Sequence, residues 1–200
     1  MTRRILCFGD SNTWGFDPCS PLGERYPAEV RWVDRLAREH GWETLNWGEN
    51  GRSIPEEPWV LAEREKELAR WGSVDDMTVM LGVNDLHRAA RPDAGATAAR
   101  MERFLRWLLE RLDPKVRVTL VAPPHMQAGT WTSGEVGERM LEQSYQIGPA
   151  YRAVAQRLGI RFADGSDWDV GMAFDGVHFT EEGHRAFARG IGAFLARDES

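Results

Sequence analysis

Short apolar runs alternate along this chain with longer stretches of helical period, and that alternation narrows the possible folds more than any other feature. The runs are Ile5 to Phe8, Thr44 to Trp47, Met77 to Leu81, Val116 to Ala122 and Ile160 to Phe162. Each is followed by a segment long enough for a crossover helix, so the strands join as βαβ units in a parallel sheet with both faces covered. Trp32, Val33, Leu36 and Ala37 recur at helical spacing, as do Trp59, Val60, Leu61 and Leu68 further on. A stronger stripe of Met101, Phe104, Leu105, Leu108, Leu109 and Leu112 ends at Asp113-Pro114, where proline stops a helix. The segment from about Glu135 to Leu158 reads as helical but interrupted at Gly148-Pro149, where a bend is expected, and Gly159 suits its C-terminal cap. Thr180 can cap a last helix whose first turn holds Glu181 and Glu182 and whose buried face is Phe187, Ile191, Phe194 and Leu195. With no repeat, low-complexity tract or linker, residues 1–200 are expected to form one domain.

Composition removes several function classes. A formal net charge of -6 gives no basic footprint for nucleic acid or an anionic membrane. No segment approaches the roughly 18 apolar residues of a membrane span, and Met1 to Phe8 turns polar too soon for a secretory signal, so the expected compartment is the cytoplasm. Cys7 falls in what reads as a buried strand and Cys19 in a proline-containing loop, a pattern of small hydrophobes and not of a disulfide framework or metal site. Most of the nine tryptophans are expected in the core or an interface.

In an open parallel sheet, ligands bind beyond the carboxyl ends of the strands, where the βα loops converge. Ser11 lies just past the first strand, behind Gly9-Asp10. The second strand delivers the Gly-rich stretch Asn46 to Ser53, the third delivers Gly82-Val83-Asn84-Asp85, and a loop after the fifth delivers Asp175-Gly176-Val177-His178. Acyl transfer by serine needs a nucleophile, an imidazole to carry its proton, a carboxylate to fix the tautomer and donors for the oxyanion. Asp175 and His178, three apart, let the carboxylate fold back onto Nδ1 while Nε2 faces Ser11. The Asn84 amide and the N–H groups of Ser11 and Gly51 supply donors.

Gly9-Asp10-Ser11, the Gly51 loop, Gly82-x-Asn84-Asp85 and Asp175-x-x-His178 occur in the order found in SGNH, or GDSL-type, hydrolases, and the chain resembles that family over almost its whole length. The resemblance implies a three-layer α/β/α fold of flavodoxin-like type with strand order 2-1-3-4-5. It implies Ser11 as nucleophile, Asp175 and His178 as its partners, and an oxyanion hole of Ser11, Gly51 and Asn84. Gly48 is an alternative to Gly51, but Asn46 followed five residues on by Gly51-Arg52-Ser53 fits the family pattern better. "ILCFGDSNTWG" and "RYPAEVRW" look most like the branch of small bacterial arylesterases and acyltransferases. That branch acts on short-chain esters, needs no metal or organic cofactor and often forms homo-oligomers that wall the site. Asn12 departs from the Leu or Ile that many members carry, which makes it, with Trp14, a candidate for substrate contact.

Other readings compete. Ser11 alone reads equally as a helix cap, Asn84 as a turn residue, and Asp10 and Asp85 as turn stabilisers. His87, His125 and His184 have no partner at telling spacing. The loop from Pro18 to Pro27 could cover the site or meet a neighbouring subunit. A carbohydrate O-deacetylase would use the same triad, with Trp14, Trp59 or Trp131 stacking on a sugar. A metallophosphoesterase would need more His and Asp ligands than these loops supply, and a non-enzymatic flavodoxin-like binding module would leave Ser11 unreactive.

Overall fold

A computed structural model describes residues 2–197. Its strands are β1 (Arg4–Gly9), β2 (Glu43–Gly48), β3 (Asp76–Met80), β4 (Arg117–Ala122) and β5 (Arg161–Asp164). All pair in parallel in the order β2-β1-β3-β4-β5, the expected topology. The helices are α1 (Ser11–Trp14), α2 (Trp32–His40), α3 (Pro58–Arg70), α4 (Val83–Arg88), α5 (Ala94–Leu109), α6 (Gly134–Leu158) and α7 (Glu181–Ala196), with a 3-10 turn at Gly165–Trp168.

The period-2 alternation of a strand divides the core between the two faces of the sheet. On β1, Leu6 and Phe8 point into one cluster with Met101, Phe104 and Leu105 of α5 and Ile147 and Tyr151 of α6. Ile5 and Cys7 point into the other, with Trp32, Val33 and Leu36 of α2 and Phe187, Ile191 and Leu195 of α7. Being covered on both sides is why β1 is apolar from Ile5 to Phe8 and why every residue of β3 is buried. At the amino end of the sheet, fully buried Asp76 accepts hydrogen bonds from Arg3 (2.7 Å), Arg117 (2.7 Å) and Arg161 (2.6 Å). Burial pushes this carboxyl's pKa up, and the three guanidinium groups outweigh it and hold it below the ordinary value.

Two local expectations are corrected. Helix α6 runs unbroken through Gly148-Pro149. Pro149 is exposed, and so is Tyr145, whose carbonyl loses its helical partner, so water can satisfy that oxygen at little cost. Cys19, read as a small hydrophobe, is exposed and fills no core space, while Cys7 is a buried free thiol pushed up to about 12 by burial. No helix among the described residues is long and apolar enough to cross a membrane.

The strand order reverses between β1 and β3, which makes the crevice beyond Gly9 and Met80 the topological switch point. Ser11 and Asn84 stand on its two sides, each a few residues past its strand.

Candidate active site

The exit from β1 is shaped by glycine. A Cβ on Gly9 would lie 2.0 Å from Thr13 Oγ1, so only a bare backbone lets the turn of α1 fold down onto the strand end. Asp10 caps that turn, its Oδ1 accepting from the Asn12 N–H at 3.0 Å, which leaves Ser11 as the first helical residue. Its N–H therefore has no preceding turn to donate to. The capping role read for Ser11 belongs to Asp10. Burial raises the Asp10 carboxyl from 3.8 to about 6.

From the other edge of the sheet comes the Asp175–His178 turn. Asp175 Oδ1 accepts the N–H groups of Val177 and His178, each at 2.9 Å, and Oδ2 meets His178 Nδ1 at 2.7 Å. Burial alone raises the Asp175 pKa, but the hydrogen bonds from the His178 ring and from the two N–H groups prevail and hold it below 3.8. A carboxylate so held fixes the imidazole with Nδ1–H facing it and Nε2 free to accept. Nε2 lies 3.0 Å from Ser11 Oγ. All three residues are buried.

Asn12 locks this approach. Its Nδ2 donates to the Val177 carbonyl at 3.1 Å and its Oδ1 accepts from the Phe179 N–H at 3.0 Å, so the residue after the serine grips the chain on both sides of His178. The loop before α6 clasps the same turn, with the N–H groups of Gln127, Thr130 and Trp131 donating to the carbonyls of Gly176, Phe174 and Asp175.

The loop after β2 brings Gly51, which has φ +72°, a left-handed conformation that favours glycine. Buried Arg52 straps this loop to the sheet: its Nη1 donates to the Gly9 carbonyl at 2.9 Å, it pairs with Glu49 and its guanidinium lies over the Phe8 ring. The Arg52 carbonyl accepts one N–H of the Asn84 amide at 3.1 Å, which orients that amide and leaves its second N–H for another acceptor. Asp85 finishes the assembly, accepting from the Ile54 N–H (3.0 Å) and Arg100 (2.8 Å). Gly48 N–H is taken by Asn46 Oδ1 at 2.9 Å, whereas Gly51 lines the cavity, which favours Gly51 over Gly48.

Ser11, Gly51, Asn84 and His178 line one cavity of about 150 Å³, together with Phe16, Asn50 and Trp131. Phe16 and Trp131 flank the imidazole, with ring centroids 4.7 and 5.2 Å from it. A hydroxyl against an aspartate-held imidazole, in one cavity with Gly51 and the Asn84 amide, has the parts to attack a carbonyl carbon and to hold an oxyanion on N–H donors. Among the described residues no group of three or more His, Cys, Asp and Glu side chains is gathered to hold a metal ion.

The sequence matches the GDSL-like lipase/acylhydrolase family over residues 7–186, a span that includes every residue named in this cavity. The chain belongs to that family. Membership makes it a carboxylic ester hydrolase by class. Its fold matches the aryl esterase of M. smegmatis with a TM-score of 0.85 at 26% identity, over 98% of this chain and 99% of that one. A protein assigned as an arylesterase from Agrobacterium tumefaciens str. C58 gives 0.84 at 30% identity, with the same coverage. Est24, a carbohydrate acetylesterase from Sinorhizobium meliloti, gives 0.84 at 25% identity, again over 98% and 99%. No curated protein matches by sequence.

Within this family member the sequence expectations divide cleanly. Ser11, Asp175, His178, Gly51 and Asn84 come together. Asn12 and Trp14 do not join them at the cavity wall. Asn12 has both amide atoms committed to Val177 and Phe179, and Trp14 lies beneath the Arg25 guanidinium, 5.0 Å from its ring centroid. Phe16, Asn50 and the Arg52 strap carry no sequence signal for these positions, since an aromatic, an amide and a loop arginine are read only through what they touch. Of the remaining histidines, His184 is fully buried, held low at about 3 by burial, and accepts from the Trp32 N–H. His87 stacks on the Trp131 ring, with centroids 4.7 Å apart.

Proposed function

We propose that the protein hydrolyses short-chain carboxylic esters through an acyl-enzyme on Ser11. The observation that carries this reading is the chain of contacts Ser11 Oγ to His178 Nε2 (3.0 Å) and His178 Nδ1 to Asp175 (2.7 Å) at the wall of a small cavity. His178 takes the hydroxyl proton as Oγ attacks the carbonyl carbon. The oxyanion rests on the N–H groups of Ser11 and Gly51 and the free Asn84 N–H. His178 then returns the proton to the departing alcohol, leaving the acyl group on Ser11. Water, or an alcohol acceptor, gives its proton to His178 as its oxygen attacks the acyl carbon, and His178 returns that proton to Ser11 Oγ as the bond from the acyl carbon to Oγ breaks. Asp175 stays ionised and stabilises the imidazolium at each stage.

Cavity size supports a short acyl chain within it, and a longer acyl group must leave it past Asn50 and Gly51. About 150 Å³ is the liquid volume of roughly five waters, well below the roughly 300 Å³ and more of ordinary small-molecule pockets. The leaving oxygen must face His178 Nε2, so the alcohol lies between Phe16 and Trp131, which suits an aromatic ring. A sugar ring is the second reading, favoured by Trp131, whose indole is 41% exposed beside the imidazole. Rates on acetylated xylan fragments against phenyl acetate separate the two. The test of the whole reading is Ser11→Ala: p-nitrophenyl acetate hydrolysis is expected to disappear with the fold retained, and wild-type turnover by that variant would refute it.

A further inference from the structure

Beyond Asn50 and Gly51, which also line the reactive cavity, a groove of about 520 Å³ opens between the loop after β2, α3 and the end of α4. Four arginines line it, and three are neutralised within the protein. Arg52 pairs with Glu49, Arg64 with Glu49 and Glu67, and Arg100 with Asp85 and Glu56. Arg88 differs. It is exposed, its Nη1 donates only to the Ser53 hydroxyl at 3.0 Å, and among the described residues it forms no ion pair.

Its position is tied to the oxyanion donors on two sides. Asn84 and Arg88 are four apart on α4 and so share a face of that helix. Arg88 Nη2 lies 3.0 Å from where a Cβ on Gly51 would stand. An unneutralised, bidentate cation thus sits at the lip of the cavity, on the oxyanion side and away from the aromatic pair flanking His178.

We propose that Arg88 receives a carboxylate at the far end of the acyl group, so that half-esters of short dicarboxylic acids are a preferred substrate class. This rests on the serine esterase reading. That reading sets the alcohol on the side of His178, Phe16 and Trp131 and the carbonyl oxygen on the N–H groups of Ser11, Gly51 and Asn84; the acyl chain then continues into the groove that adjoins the cavity at Asn50 and Gly51. The carboxylates Glu57 and Glu63 line the groove from α3 and its cap, so an anion is favoured at Arg88 and not throughout the groove. A guanidinium fork matches a carboxylate with two parallel hydrogen bonds.

The test compares kcat/KM for mono-p-nitrophenyl adipate with that for its neutral methyl ester, after subtraction of the uncatalysed rates. The anionic-to-neutral ratio is expected to fall about fivefold in Arg88→Met and by more than about tenfold in Arg88→Glu, while Arg88→Lys keeps most of it. In the wild type the ratio is expected to fall as salt rises from about 10 mM to about 500 mM. An unchanged ratio in both Arg88→Met and Arg88→Glu overturns the proposal. So does wild-type enzyme that hydrolyses p-nitrophenyl acetate but neither adipate ester. If acetate is not hydrolysed and a fluorophosphonate does not label Ser11, the esterase reading itself has failed and takes this proposal with it.

Discussion

Replacing Asn12 by alanine separates two roles that its position beside the nucleophile allows. The side chain holds two buried main-chain groups, the Val177 carbonyl at 3.1 Å and the Phe179 N–H at 3.0 Å. Val177 is 3% exposed and Phe179 is fully buried, so neither group meets bulk water when the amide is removed. Each buried polar group left unpaired costs about 1–3 kcal/mol, giving about 2–6 kcal/mol for the pair. Water entering the vacated space draws this towards the lower half, about 3 kcal/mol. For a chain of this size each kcal/mol moves Tm by roughly 2–4 °C, so Asn12→Ala is expected to melt about 6–12 °C below wild type. The same loss frees His178 from its flanking anchors, so kcat falls while KM for p-nitrophenyl acetate stays close to wild type. Asn12→Asp refines the test, because the carboxyl keeps the acceptor for Phe179 but donates to Val177 only when protonated. Its deficit is expected to shrink as pH falls. Calorimetry and steady-state kinetics on the two variants suffice. A variant that melts with wild type and loses activity only through a raised KM would refute the clamp and return Asn12 to substrate contact.

Asn84→Ala removes one oxyanion donor and is expected to lower kcat by about 10²–10³, equivalent to about 2.7–4 kcal/mol, measured by steady-state hydrolysis; a loss below threefold would deny the amide that role. Asp10 provides a pH test. Its folded pKa, about 6, lies above its unfolded value of 3.8, so its contribution to stability is complete below pH 3.8 and is lost as pH rises through 6. Two pKa units correspond to about 3 kcal/mol, so the stability of wild type relative to Asp10→Asn is expected to fall by about that much between pH 4 and 7 in urea titrations. A difference that is flat with pH would mean that Asp10 ionises freely in the fold.

Elements built from nearby residues could be read from the chain alone. The apolar runs of β1 and β3, the stripe on α5, the Thr180 cap with its 3.0 Å bond to the Gly183 N–H, and the Asp175–His178 pair each depend on residues a few positions apart. Backbone geometry within a strand or turn links those positions directly, so five parallel strands and the parts of a triad were legible. The unbroken course of α6 through Pro149 was not, because it depends on which side of the helix meets solvent.

Tertiary structure alone decided what those parts do to one another. Ser11 and His178 stand 167 positions apart. Two strands, β3 and β4, stand between β1 and β5, so the segment after β5 must cross their ends to bring the imidazole to the serine. Asn12 looked outward in the sequence, as a polar residue beside a nucleophile, and the fold turned it inward because two main-chain groups of that crossing segment needed partners. Phe16, Trp131 and Arg88 gained their places in the same way. Local chemistry sets the period and caps of each element, but distance between elements arises only when a shared core is packed, and the Ser11–His178 contact is such a distance.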